Sequence, residues 1–368
     1  MSNSVAQSFA MSVVTILGAG ATTAFAQSAP VAAPPYTLAP FATAPTGLSA
    51  PDSIAVVGNN VFVGYGDGHA PDGSDGLSSQ IVEFAMDGTV IHTFTVPGHN
   101  DGLKLDPVTH QLWALQNEDA HPNLVIIDPK SGHQSSAFPF SAEPHGGGYD
   151  DIVFRGCKVY ISASNPSGNP NTGPAIVSAH LQGGVVTVSP LLMGNAKAID
   201  VPTGATVTLN LQDPDSMTLD PQGNIVLDSQ ADQELIYVTH PGQPNQQALR
   251  LPLSFQTAGV STPVETDDTN FVTSEDGFIL FADKGLNTVY KLSRPGFVPG
   301  TAFTAADGGP FVGTLDISSG VITPIVTGLM SPGGLVFVKH SVNSSAYGGD
   351  TVQQSGPLNE AKECDRDE

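Results

Sequence analysis

Positive charge is scarce in this chain. Its 12 Lys and Arg stand against 35 Asp and Glu over 368 residues, a formal net charge of −23, and no basic residue precedes Lys104. Nucleic acid and anionic membranes are held by basic surfaces, so neither is an expected partner; divalent cations, neutral sugars and cationic ligands remain electrostatically permitted. Cysteine is almost missing. Cys157 and Cys364 could pair in an exported chain, although the simpler reading makes Cys157 a small buried hydrophobe and puts Cys364 in a polar tail. There is no His-Glu-x-x-His, Walker loop, Gly-x-Ser-x-Gly elbow or Cys-x-x-Cys pair, which removes the common zinc-protease, nucleotide-binding, serine-hydrolase and thiol-redox chemistries. No convincing amphipathic helix separates the apolar segments either.

What the chain does have is a recurring phrase. Pro51-Asp52-Ser53-Ile54, Asn100-Asp101-Gly102-Leu103, Asp150-Asp151-Ile152, Pro214-Asp215-Ser216-Met217, Asp267-Asp268-Thr269 and Pro332-Gly333-Gly334-Leu335 recur at intervals of 49, 50, 64, 53 and 65 residues between their key positions. Each is followed by an alternating apolar run, a turn and a second apolar run, such as Asn60-Val61-Phe62-Val63 or Gln111-Leu112-Trp113-Ala114. Third runs (Gln80 to Phe84, Leu124 to Asp128, Leu235 to Val238, Thr288 to Leu292) and fourth runs (Val90 to Val96, Val185 to Leu192, Ala248 to Leu253) complete most units. Short β-branched and aromatic runs of period two, bounded by Gly, Asn, Asp and Pro, are strands, and their repetition at this spacing predicts propeller blades.

The expected fold is therefore all-β: a six-bladed β-propeller of four-stranded antiparallel blades. Five or seven blades and a β-sandwich are the alternatives. In this reading Gly277-Phe278-Ile279-Leu280 and Thr288 to Leu292 continue the unit opened by Asp267-Asp268. The last unit ends soon after Val338, so its outer strands must come from elsewhere, and Pro35 to Thr43 could supply one and close the ring. Forty Gly and thirty Pro suit many tight turns, and 40% hydrophobic residues suffice for packed blade interfaces.

The ends read differently. Met11 to Ala21 is apolar but too short to span a bilayer, and Ala24-Phe25-Ala26 before Gln27 resembles a cleavage site, so residues 1–26 read as a secretory signal peptide without the usual basic start. Residues 27–49 form an N-terminal segment with the closing strand, 50–340 the propeller, and 341–368 a disordered polar tail. A secreted or periplasmic monomer is expected.

In a propeller the loops entering the innermost strands and the loops between second and third strands share one face. That places Asp52, Asp101, Asp151, Asp215 and Asp267 or Asp268 around one axis, where converging carboxylates repel one another unless a cation joins them. Oxygen ligands of this kind suit Ca²⁺, Mg²⁺ or Mn²⁺, and Asp52, Asp151 and Asp215 are the expected metal ligands. An Asp that opens a strand also makes an Asx turn, which accounts for some of the five. The long acidic loop Gly66 to Gly76 lacks EF-hand spacing, so it is read as a mouth loop, with a second Ca²⁺ site as the alternative. His69, His99, His121 and His145 fall near the same face, each able in principle to act as a base; His145 is taken as a catalytic partner of Asp215. Asn100, Asp101 and His121 are the expected substrate contacts.

Asn100-Asp101-Gly102-Leu103-Lys104-Leu105-Asp106-Pro107 resembles the Asn-Asp-Gly…Asp-Pro phrase of the SMP-30/gluconolactonase family. Pro214-Asp215-Ser216-Met217-Thr218-Leu219-Asp220-Pro221-Gln222-Gly223-Asn224 is similar to that family's Pro-Asp-Gly…Asp-x-x-Gly phrase. NHL-repeat and strictosidine-synthase-like propellers share the blade pattern from Ala50 to Val338. The resemblance implies a six-bladed propeller with a divalent metal at the channel mouth and lactone hydrolysis. It puts Asp215 in place of the family's metal-binding aspartate, Asp151 in place of its metal-binding asparagine, and Asn100 in place of a substrate-contacting asparagine. The family's Glu-x-Pro entry is not matched; Asp52 or Gly333 stands there. The expected function is an exported metal-dependent hydrolase of a sugar lactone or related ester, and the alternative is a non-catalytic binding or scaffold propeller for a glycan, peptide or envelope partner.

Overall fold

The computed structural model of the protein describes residues 29–340, so the expected signal peptide and polar tail lie outside the described residues. All regular structure within that span is β, in six small sheets. Every entry phrase becomes or adjoins the innermost strand of a sheet: Pro51–Val57, Asn100–Leu105, Ile152–Arg155, Pro214–Leu219, Asp268–Phe271 and Pro332–Lys339. These strands follow one another around an axis, with the last beside the first. The molecule is a six-bladed propeller.

Blades need two apolar faces because each is covered on both sides. In blade 1 the second strand, Asn60–Tyr65, sends Val61 and Val63 toward blade 6 and Phe62 toward blade 2. In blade 2, Leu112 and Ala114 face blade 1 while Trp113 and Leu115 face blade 3. Period two thus delivers alternate side chains to different interfaces, and the strand reads as continuously apolar. The buried hydrophobics divide into clusters, one for each junction between blades.

Blades 1 and 3 are simple four-stranded meanders. In blade 2 the outer position is shared by two short pieces, His133–Gln134 and Phe138–Pro139, both paired with Asn123–Asp128. Blades 4 and 5 each gain an outer hairpin, Lys197–Asp200 with Thr206–Thr208 and Ser254–Thr257 with Val260–Pro263, added parallel to the edge strands Gln247–Pro252 and Val321–Thr327.

Blades 5 and 6 depart from sequential order. Asp268–Phe271 pairs with Ala302–Ala306, not with the next strand in the chain. Gly277–Asp283 and Thr288–Ser293 instead build the middle of blade 6, where Gly277–Asp283 pairs with Pro332–Lys339. The outermost strand there is Thr37–Thr43, along Thr288–Ser293. The chain therefore leaves blade 5 after its outer hairpin and innermost strand, lays two strands of blade 6, returns to finish blade 5 and then completes blade 6. The sequence reading assigned 277–292 to the wrong blade because alternation marks a buried strand without naming its partner. Its N-terminal closing strand does occupy the ring seam.

Cys157 also differs from expectation. It is exposed, in the turn between Ile152–Arg155 and Lys158–Ser162, and is disulfide-bonded rather than a buried thiol; Cys364 lies outside the described residues.

The interleaving has a direct check. Thr269 Oγ1 donates to Thr304 Oγ1 at 3.1 Å across the Asp268–Phe271 and Ala302–Ala306 pair. A Thr269→Cys, Thr304→Cys double variant is expected to form a cross-strand disulfide under mild oxidation, seen as a linked peptide by mass spectrometry. No linkage in a folded variant would contradict the interleaved order.

Candidate functional site

Four of the six entry phrases contain a β-bulge. In blade 1, Pro51 pairs with Tyr65 and Ile54 with Val63, so Asp52 and Ser53 together oppose Gly64. The same slip sets Asp101 and Gly102 against Leu115, and Asp215 and Ser216 against Asp228. A bulge bends the strand and re-aims a side chain, and Asp52, Asp101 and Asp215 all reach one cavity on the axis. In blade 6 the extra residue is Gly334. A Cβ at Gly333 would collide with the Asp267 carboxylate, and Gly334 has a φ of 43° with its Cβ position against the Asp52 carbonyl. The sixth entry lacks a carboxylate because its neighbours' groups fill that space.

The cavity measures about 150 Å³. Entry residues Asp52, Asp101, Asp150, Asp151, Asp215, Asp267 and Asp268 line it, joined by Glu118, Gln230 and Asp307 from the loops between second and third strands. Two cations stand among them. Lys284 Nζ lies 2.9 Å from Asp52 Oδ2 and 2.9 Å from Asp267 Oδ1, and Lys104 Nζ lies 2.9 Å from Asp151 Oδ2. Burial alone would lower both ammonium groups, but the surrounding carboxylates outweigh it: Asp267 and Asp52 hold Lys284 well above its ordinary range, and Asp151 and Asp268 raise Lys104.

The acids divide by environment. Burial drives Asp150 and Asp215 well above the carboxylate range, with neighbouring acids adding to the effect. Burial likewise pushes Asp52 up to about 8 against the pull of Lys284, Asp268 to about 7 against Lys104, and Asp307 to about 6 with help from Asp267. Some carboxylates also hold the ring together. Asp151 Oδ2 accepts from Met217 N of blade 4 at 2.8 Å, and Asp268 Oδ2 accepts from Leu335 N of blade 6 at 2.6 Å.

Asp52, Asp101, Asp151 and Asp215 thus share one cavity. As a metal trio, however, Asp52, Asp151 and Asp215 do not fit: Asp52 is held by Lys284 and Asp151 by Lys104, so an ion among them would meet two ammonium groups. Other residues lie elsewhere. Asn100 is fully buried, its Nδ2 donating to Leu115 O at 2.9 Å. His145, also buried, donates from Nε2 to Gly148 O at 2.6 Å and packs on Tyr149, away from the cavity lining; burial lowers its pKa. His121 is exposed and contributes its carbonyl to Asn117 Nδ2. In the Gly66 to Gly76 loop, Asp67, Asp72 and Asp75 accept backbone N–H groups as turn caps.

The sequence reading overlooked Lys104 and Asp307. Lys104 was legible, since Leu103 and Leu105 face the core and period two turns the residue between them to the channel. Asp307 was hidden by the misassigned blade, because its loop follows Ala302–Ala306.

The raised carboxyls set the sign of the pH dependence. Asp52, Asp268 and Asp307 titrate near 8, 7 and 6 folded against an ordinary 3.8, so the folded chain binds protons more tightly, and the stability they contribute is lost as pH rises through that window. Tm is expected to be higher at about pH 5 than at about pH 9 in metal-free buffer; a rise toward alkaline pH would contradict the assignment. Lys284→Met is expected to cost about 2–3 kcal/mol near pH 8, below the range for fully buried pairs because the side chain is 30% exposed, and less near pH 5.

No protein-family model and no curated protein sequence matches the chain. Among solved structures it is similar to a virginiamycin B lyase from Staphylococcus aureus, at 10% identity and a TM-score of 0.45 over 79% of this chain and 87% of that one. It is also similar to a periplasmic gluconolactonase of Pseudomonas aeruginosa, at 13% identity and a TM-score of 0.44 over 78% and 88%. A putative gluconolactonase gives 13% identity and a TM-score of 0.44 over 82% and 84%. The fold itself rests on the strand pairing and the closed ring of six sheets.

Proposed function

We propose that the channel mouth is the active site of an exported hydrolase that opens a sugar lactone or a related ester. One observation carries this reading: a single cavity gathers carboxyls whose surroundings raise their pKa values to different extents, the arrangement that separates acid from base. Burial holds Asp215 well above the carboxylate range, which suits it to donate a proton, whereas Asp307 is raised only to about 6, which suits it to accept one. In ester hydrolysis a water oxygen attacks the acyl carbon while its proton is removed, and the acyl–oxygen bond breaks as a proton reaches the departing oxygen. Asp307 accepts the proton of the water. Asp215 hydrogen-bonds the carbonyl oxygen as charge develops there and then protonates the departing alkoxide. A lactone yields one open-chain hydroxy acid.

Size and lining support a small polyhydroxylated substrate. A cavity of about 150 Å³ is the scale that encloses one six-membered ring, and apart from Ile54 and Gly334 its lining side chains are polar. Export rests on the sequence of residues 1–26. The ring's lysine-held carboxylates supply no ligand trio, so no step passes through a cation there.

A second reading, a non-catalytic exported binding propeller, is favoured by the clasps that Asp151 and Asp268 make to the next blade. A panel of aldonolactones and simple esters separates the two. Turnover reduced at least about 100-fold in kcat/KM by Asp215→Asn and by Asp307→Asn is the expected outcome. Flat traces across the panel with intact protein would leave the binding reading standing.

A further inference from the structure

We propose that His99, Asp101 and Glu118 form a binding site for a first-row divalent metal ion at the rim of the cavity, distinct from the Asp52, Asp151 and Asp215 set. One ligand atom from each of the three lies within 4.8 Å of the others, the only such trio among the described residues. Ligands placed about 2.0–2.4 Å from a common ion are separated by no more than about 4.8 Å, so the span admits one ion.

The histidine is set for this role by a contact outside the trio. His99 Nδ1 lies 3.1 Å from the His69 carbonyl oxygen. A carbonyl only accepts, so Nδ1 carries a proton, and in the neutral ring it is Nε2 that presents the lone pair. Nε2 lies 4.0 Å from Glu118 Oε1, leaving a lone pair facing a carboxylate with no donor between them. A backbone carbonyl on the far ring nitrogen is the usual support of a metal-binding histidine. The backbone is fixed as well. Asn117, at a φ of 64°, donates its N–H to the His99 carbonyl at 2.8 Å, and its Oδ1 accepts from His99 N at 3.0 Å. These two bonds lock the blade 2 entry to the loop carrying Glu118. On the other side the ring packs over Gly66, where a Cβ would approach His99 Cε1 to 2.5 Å.

The donor set selects the ion. One imidazole nitrogen with two carboxylates suits Mn²⁺, Zn²⁺ or Co²⁺ better than Ca²⁺ or Mg²⁺, which take oxygen ligands, and three protein ligands leave positions open. Asp101 and Glu118 also line the cavity, so those positions face it. Ion binding stands apart from turnover; only the ion's access to substrate rests on the hydrolytic reading.

The test is calorimetric titration of the full chain, stripped with chelator, using Mn²⁺ and Zn²⁺, with circular dichroism confirming the fold of each variant. One site per chain is expected. His99→Ala and Glu118→Gln should each weaken it at least about 10-fold, and Gly66→Ala should weaken it by displacing the ring without removing a ligand. Nitrogen coupling in the pulsed EPR spectrum of bound Mn²⁺, lost in His99→Ala, is the second readout, and it serves even if one variant fails to fold. Absence of binding, or binding weakened by Asp52→Asn and Asp151→Asn but not by His99→Ala, would overturn the proposal. A bound ion without lactone turnover would fault the hydrolytic reading alone.

Discussion

Lys284 makes the meeting of five acidic blade entries at one axis possible. It comes from the loop after Gly277–Asp283 in blade 6 and joins Asp52 of blade 1 to Asp267 beside blade 5. Without an ammonium between them, two carboxylates in a shared buried space cannot both ionise. The loop that carries it is held by Asp283, which is fully buried and accepts N–H groups from Leu286, Met330 and Ser331. Lys104 repeats the device between blades 2 and 3 through Asp151. Two lysines thus offset part of the charge of the nine carboxyl groups that line the funnel, in a protein that has only 12 basic residues.

The same region is where the ring closes, and closure and charge balance share a cause. Blade 6 is assembled from Thr37–Thr43, from Gly277–Asp283 with Thr288–Ser293, and from Pro332–Lys339. Lys284 reaches the axis at this seam only because 277–293 was lent to blade 6 before blade 5 was complete. A sequential arrangement would have put the same lysine one blade earlier. Interleaving also ties both sides of the seam by chain connection, so blades 5 and 6 cannot separate without breaking pairing in each. The glycines of the sixth entry fit this economy: Gly333 leaves room for the Asp267 carboxylate, and Gly334 for the Asp52 backbone.

Much of this was legible in the sequence, for reasons that differ by element. The six innermost strands were readable because each is opened by an Asp or Gly phrase ahead of an apolar run, and in four of them that phrase contains a bulge. The closing strand was readable because the last unit was short of strands. Partner choice was not, since Gly277–Asp283 is buried on both faces and alternation says nothing about which neighbour it meets. At the site, the ring of Asp residues was found, but the expected cation was placed among Asp52, Asp151 and Asp215, because a count of carboxylates does not reveal that lysines stand between them. His99 shows the opposite case. It was one of four histidines on a face, and only the carbonyl of His69, from another blade's loop, distinguishes its ring nitrogens.

The central claim is a division of labour at the mouth, with lysines holding Asp52, Asp151 and Asp267 of the ring and an imidazole with two carboxylates left for a metal. The most direct measurement is an anomalous difference map from crystals grown with Mn²⁺. The account predicts a single peak within coordination distance of His99 Nε2, Asp101 and Glu118, with the Lys284 ammonium between Asp52 and Asp267 as described. A peak on the axis between Asp52, Asp151 and Asp215, with Lys284 turned away, would contradict it.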